Sequence, residues 1–367
     1  MLEEQVVRPL RIDPNELSSY VERERGLRLR PAVYAQVAAA LDTGKHVLLL
    51  GEPGTGKTEL AHALAEFAGE KRFATGDTRA TATADWTTFD TIGGYVPTRR
   101  QGLQFRAGLF LRAVCLGHWL VIDEINRAEI DKALGELFTV LSGQRVDLPY
   151  TVGEAPLCVL PPAKPGAPGW VPAGARGGYE YVVHPSWRVI ATMNAYDRSY
   201  LFSLSFALTR RFAFVTVGLP PEEVYRELLD RWLAESGLAP GTPPGPQAEP
   251  VGALREQLRR LLGFETPLMR RRPLGPAIAR DMIRHVGDRH VAGAGNPIEL
   301  LGEAFLLHAV HQLDGLDRAS IEAIVHQLDG LFRGTEVRAE IRYRIHHLYP
   351  FLSDEPGAGG ANEGGAP

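Results

Sequence analysis

Residues Gly51 to Thr58 read GEPGTGKT, and no other stretch limits the fold of this chain as narrowly. The apolar run His46–Leu50 ahead of it predicts a buried strand, and Glu59–Ala65 behind it predicts the start of a helix. Strand, glycine loop and helix form the context in which this spacing binds phosphate. The glycines let the backbone curl until its N–H groups converge on phosphate oxygens. The helix N-terminus adds a partial positive charge. Gly51, Glu52, Pro53, Gly54, Thr55 and Gly56 would form the cradle, with Glu59 in the first helical turn. Lys57 would reach the β- and γ-phosphates, and Thr58 would ligate Mg²⁺. A glycine-rich turn with a chance lysine would not bring both flanks with it.

At 367 residues the chain is expected to hold two or three cores. Hydrophobic content of 44% and charged content of 23% belong to an ordinary globular protein, and a formal net charge of −4 argues against a polycation. The two cysteines, Cys115 and Cys158, have neither metal-type spacing nor a disulfide framework, so the expected compartment is cytoplasmic. The start MLEEQVVRPL lacks the apolar core of a signal peptide, and no apolar run approaches the ~20 residues of a membrane span.

The first 30 residues read as a charged lead-in with one short helix, and Ala32–Leu41 as a helix stopped by Gly44. From residue 31 to about 220, apolar runs at His46–Leu50, Trp119–Ile122, Trp187–Thr192 and Phe212–Val217 alternate with helical patterns. That alternation predicts an α/β fold: a three-layer α/β/α module around a mostly parallel sheet. Val152–Pro185 interrupts it with Pro/Gly-rich sequence and reads as a long hairpin, a lid-like insertion or a linker. Residues 221–352 are helical throughout and predict a second, all-helical domain, and 353–367 has the composition of a disordered tail. HQLDGL recurs at His311 and His326, which predicts a helical hairpin with stops at Gly315 and Gly330.

Three further stretches carry chemistry. Trp119–Glu124 is an apolar strand ending in two carboxylates; beside a phosphate loop, Asp123 would hold the Mg²⁺ shell and Glu124 would activate a water. Ile130–Leu141 behind it has the spacing of one core-facing helix. Val189–Asn194 is another strand, ending in an asparagine placed to touch a γ-phosphate or the water. Arg210 and Arg211 stand just before the last strand, where a guanidinium supplied in trans would stabilise transition-state charge. Alone, each pattern is also a solvated strand end, a turn or a basic pair. The histidines of the helical half (His308, His311, His346, His347) show no metal-ligand spacing.

In this order, phosphate loop, acidic strand end, strand-end asparagine and arginine pair resemble the Walker A, Walker B, sensor 1 and arginine finger of AAA+ ring NTPases, over about residues 35–285. The stretch IDEINRAEIDKALGELFTVLSGQRVDLP from Ile122, with Gly93–Pro97 and Phe105–Phe110, is similar to the MoxR and McrB-like branch, which includes dynein-related ATPases. That resemblance implies a helix-2 insertion at about 86–110 and a pre-sensor-1 insertion at about 150–186. ATMNAYDRSYLFSLSFALTRRFAF is similar to the McrB-like run, matching at Asn194, Asp197, Arg198, Ser199, Ala207, Leu208, Arg210, Arg211 and Phe212 and departing at Ala195–Tyr196. It implies a nucleotide contact at Asp197. A sensor-2 arginine is expected after Gly275–Pro276, where Ala277 stands instead; Arg280 and Arg272 are equal candidates. The resemblance implies a homo-oligomer, a hexameric ring, with nucleotide between the α/β module and the helical lid. It implies Mg²⁺ with ATP, or with GTP as in McrB-like members. The partner would be a protein client, such as a von Willebrand A-domain protein, or a nuclease subunit. About 30 residues precede the module, too few for a separate DNA-binding domain, which weighs against direct nucleic-acid binding. A scaffold that binds nucleotide without hydrolysis is the remaining alternative, opposed by Glu124 and the arginine pair.

Overall fold

A computed structural model describes residues 10–99, 102–162, 174–176, 179–194, 206–238 and 248–352. Two compact units divide the chain, Met1–Pro220 and Pro221–Pro367. The expected tail and the Asp197–Ser199 run lie outside the described residues.

In the first unit, helices α1 (Pro14–Arg25) and α2 (Pro31–Asp42) lead into strand β1 (His46–Gly51) and helix α3 (Lys57–Glu70). Then come β2 (Gly76–Thr81), α4 (Thr88–Thr91), the β3 (Gly93–Pro97) and β4 (Leu103–Ala107) hairpin, α5 (Leu109–Leu116) and β5 (His118–Asp123). Helices α6 (Ile130–Leu134) and α7 (Leu137–Val140) precede β6 (Val146–Val152), β7 (Ala155–Leu160), β8 (Gly174–Arg176), β9 (Glu180–Val182), β10 (Val189–Asn194) and β11 (Phe212–Thr216). The main sheet is five-stranded and all parallel, in the order β11-β1-β10-β5-β2.

Both faces of this sheet are covered, which is why its strands read as unbroken apolar runs. Val47, Leu49, Val121, Ile190 and Val215 point into a core shared with α1, α2 and α3. Leu48, Leu120, Ile122, Val189 and Ala191 point into the opposite core, with α5, α6, α7 and Trp187. Burying a Val, Leu or Ile side chain is worth about 1.5–3 kcal/mol, so the central strands anchor the unit.

The structure differs from the sequence reading at four places. The lead-in is part of the core: α1 is capped by Asp13 and buries Leu17, Tyr20 and Val21. Strand β2 had no prediction, because an edge strand reading GDTRAT carries no apolar run. The helix expected over Ile130–Leu141 is two short ones, because Gly135 sits at φ 41°, ψ −119°, outside the helical basin. In the helical unit Gly315 does occupy a left-handed turn (φ 74°), but Gly330 lies inside the helix Arg318–Leu331, and Gly334 (φ 83°) follows that helix instead.

Two smaller sheets lie at about the positions where the insertions are expected. The β3–β4 hairpin is antiparallel, and β6-β7-β9-β8 forms a four-stranded sheet. The hairpins join through Tyr95: its hydroxyl donates to the Thr151 carbonyl (3.1 Å) and accepts from the Thr151 N–H (2.8 Å). Tyr95, Phe105 and Tyr150 stack around this joint with centroids 5.1–6.4 Å apart. Leu103, in β4, is 70% exposed.

The second unit is helical among its described residues. Glu222–Glu235, Ala248–Leu262, Pro276–Val291, Pro297–His308, Arg318–Leu331 and Val337–Leu348 are its main helices. Their inner faces bury Leu229, Leu258, Met282, Leu301, Phe305 and Leu328. No described helix is long and apolar enough to cross a membrane.

Candidate functional site

Parallel strands put all their C-terminal ends on one edge of a sheet, where open α/β folds bind ligands. Gly51 and Asn194 are register partners there, and Ile122, one residue before Asp123, pairs with Ala191. Register alone therefore gathers the phosphate loop, the two carboxylates and Asn194 at one edge.

The loop has the shape the sequence implied. Gly54 (φ 74°) and Gly56 (φ 90°) are left-handed, a region in which other residues are strained. Gly51 is glycine for another reason: a Cβ there would lie 2.1 Å from the Val217 carbonyl oxygen. Thr55 is buried, its hydroxyl donating to the Glu52 carbonyl (2.9 Å). Lys57 opens α3, and the first N–H groups of a helix lack intrahelical acceptors, so they face the loop's concavity as anion donors.

Lys57 is buried, and its ammonium donates to the carbonyls of Gly51 (3.0 Å) and Glu52 (2.8 Å). Burial pushes its pKa down to about 8, against the opposing pull of Glu52, Asp123 and Glu124. The Glu59 carboxylate lies 3.5 Å from Arg25 Nε of α1.

The Thr58 hydroxyl donates to Asp123 Oδ1 at 3.0 Å. A hydroxyl and a carboxylate converging beside a phosphate cradle are the hard oxygen donors that Mg²⁺ takes, so these residues fit the ion. Thr192 donates to the same Oδ1 and accepts the Glu124 backbone N–H at 3.1 Å. Glu124 itself is left-handed (φ 51°, ψ 48°), one of two such non-glycine residues among those described. Its carboxylate is ion-paired with Arg127. Thr192 was not singled out in the sequence, since a hydroxyl inside ATMN gives no signal of its own.

The arginine pair lies at the other edge of the sheet. The Arg211 carbonyl accepts from His46 N–H (3.0 Å), at the start of β1, whereas the loop leaves from its end. Five residues of strand, at roughly 3.3 Å each, put about 16 Å between them. Arg211 is tethered: it donates to the Ser142 hydroxyl and lies 5.7 Å over the Phe138 ring. Arg210 is exposed, and its carbonyl accepts from Lys45 Nζ.

In the helical unit Arg272 is buried and donates to the Asp314 carbonyl, whereas Arg280 is exposed in the helix Pro276–Val291. Asp197 lies outside the described residues.

Residues 46–212 match the family model of the AAA domain, dynein-related subfamily. The matched stretch begins at β1 and ends at the first residue of β11, so it contains the phosphate loop, both carboxylates, Asn194 and the arginine pair. The chain thus carries an AAA-type P-loop module followed by a helical region, and domains of that family generally hydrolyse nucleoside triphosphates.

Proposed function

We propose that this chain is a Mg²⁺-dependent, ring-forming ATPase of the MoxR and McrB-like branch, and that its hydrolysis cycle works on a protein partner. The observation that carries the reading is the division of catalytic groups between opposite sheet edges. Lys57, Thr58, Asp123, Glu124 and Asn194 share the C-terminal edge, and Arg210 and Arg211 stand about 16 Å away at the other. A guanidinium so placed cannot serve its own subunit's phosphate loop. It can serve a neighbour's, so the site is completed by assembly, and a closed ring lets every subunit do so.

When bound, Mg²⁺ would neutralise developing charge on the phosphates, held by Thr58 and Asp123. Lys57 and the loop N–H groups bind and orient the triphosphate. Glu124 takes the proton from the attacking water, and Asn194 positions that water or the γ-phosphate. Arg210 supplies the charge in trans, while Arg211, fixed on Ser142 and Phe138, sets the turn that presents it. The joined hairpins, with Leu103 exposed, are the surface that meets the partner.

A second reading, the motor of a McrB-like restriction complex with a separate nuclease, is favoured by the Asp197-Arg198-Ser199 run. Hydrolysis of ATP and GTP across a range of protein concentrations tests both. The expected result is ATP preference with specific activity rising as subunits assemble. GTP preference supports the restriction motor. Activity independent of concentration, down to the fully dissociated monomer, overturns the shared site.

A further inference from the structure

We infer that Thr192 is a positioning residue for this hydrolytic site, one that sets both carboxylates through a single buried hydroxyl; the inference rests on the ATPase reading. Thr192 is 1% exposed. A hydroxyl has one proton to give and lone pairs to accept with. Thr192 gives its proton to Asp123 Oδ1 and accepts the N–H of Glu124. Its one proton and one of its lone pairs are therefore committed to two adjacent residues of the neighbouring strand's end.

Each bond has a consequence. Asp123 Oδ1 also accepts from Thr58, so Thr192 and Thr58 hold that oxygen from two sides and fix the carboxylate's rotation. The pairing of β10 with β5 ends at Ala191 and Ile122, so no strand partner is left for the Glu124 N–H. Thr192 supplies the acceptor at the residue where the backbone turns left-handed. Such a conformation in a non-glycine residue persists only where its surroundings hold it. The turn decides where the Glu124 side chain departs from the sheet. Asn194 lies two residues on, hence on the same face of β10, so one face of one strand carries both the anchor and the polar end group.

A buried hydroxyl that was only a satisfied core group would contribute stability, and any replacement would cost the same in every assay. The positioning role predicts a different pattern, testable in the full chain with Thr192→Val, which keeps shape and loses the hydroxyl, and Thr192→Ser, which keeps it. In protein without nucleotide, the Glu124 amide in the Val variant should exchange hydrogen at least about tenfold faster than in wild type, the loss of one buried bond. With ATP, kcat should fall by about tenfold or more while KM and ATP affinity measured in EDTA stay within about twofold. The Ser variant should recover most of both. Unchanged Glu124 exchange in the Val variant overturns the inference, as does a Ser variant as impaired as Val, or a loss confined to KM. Absence of hydrolysis in the wild type would sink the ATPase reading instead, and the exchange measurement would still decide whether Thr192 holds Glu124.

Discussion

Lys57 should make nucleotide binding take up a proton. Its pKa is pushed from 10.5 down to about 8, chiefly by burial, with Glu52, Asp123 and Glu124 pulling the other way. At about 1.4 kcal/mol per pH unit, charging this lysine in the fold costs about 3 kcal/mol. A triphosphate brings several negative charges to within reach of the ammonium and should return the pKa towards its ordinary value. The uptake on binding is then about 0.5 proton at pH 8 and about 0.9 at pH 9, and affinity should weaken by about tenfold per pH unit above pH 8. Calorimetric titration with ATP in two buffers of different ionisation heat reads the proton count directly, because the terminal phosphate, with a pKa of about 6, has already lost its own proton there. Less than about 0.1 proton at pH 8.5, with binding intact, would refute the reasoning. Stability supplies a second reading of the same shift. A depressed lysine pKa means that between pH about 8 and about 10.5 the unfolded chain holds a proton the folded chain has released, so this group's contribution to stability rises with pH across that window. Replacing Lys57 by Met removes the charging cost of about 3 kcal/mol at pH 7 and two hydrogen bonds worth about 1 kcal/mol each. Denaturant unfolding should therefore find the Lys57→Met protein about 1 kcal/mol more stable and unable to bind ATP.

Glu124→Gln should retain ATP binding and lose hydrolysis by about 10²–10⁴-fold in single-turnover assays, the range for a positioned general base. Arg210→Ala should lower kcat by at least about 10³-fold. Mixing it with Lys57→Met should recover part of the activity, since each subunit supplies what its neighbour lacks; absence of recovery in verified mixed assemblies would place the arginine's role within its own subunit. Tyr95→Phe keeps the aromatic stack and removes the link between hairpins, so the Thr151 amide should exchange several-fold faster, as expected for a hydrogen bond worth about 1 kcal/mol. ATPase activity without partner should stay unchanged, while stimulation by any partner found should drop.

What the sequence made legible follows from how directly each feature is written in side chains. The central strands are apolar on both faces because both faces are buried, so β1, β5, β10 and β11 were visible as runs. Strand β2 was not, because an edge strand needs only backbone pairing on one side and can read GDTRAT. The α1 helix was written more clearly than it was read: Asp13 before Pro14, and Leu17, Tyr20 and Val21 at helical spacing, amount to a capped amphipathic helix. The phosphate loop was legible because phosphate chemistry admits few substitutes. The difference between the two arginines was not. Arg210 and Arg211 are adjacent and identical in type; only the Ser142 hydroxyl and the Phe138 ring distinguish the tethered one from the exposed one.

Gly51 shows why a motif can be read correctly for an incomplete reason. The glycines of GEPGTGKT were expected for their backbone freedom, and Gly54 and Gly56 use it. Gly51 does not take a left-handed φ. It is glycine because the end of β11 passes over it, with Val217 N–H donating to the Leu50 carbonyl (2.6 Å) and the Val217 carbonyl occupying the place of a side chain. The first glycine of the loop is thus tied to the strand that follows the arginine pair. Through β11, the groups at the two edges of the sheet are parts of one hydrogen-bonded lattice: Arg211 sits against the start of β1 and Val217 against its end. In the proposed ring, a neighbour's triphosphate drawn onto Arg210 would therefore act on the same strand that closes over this subunit's own phosphate loop.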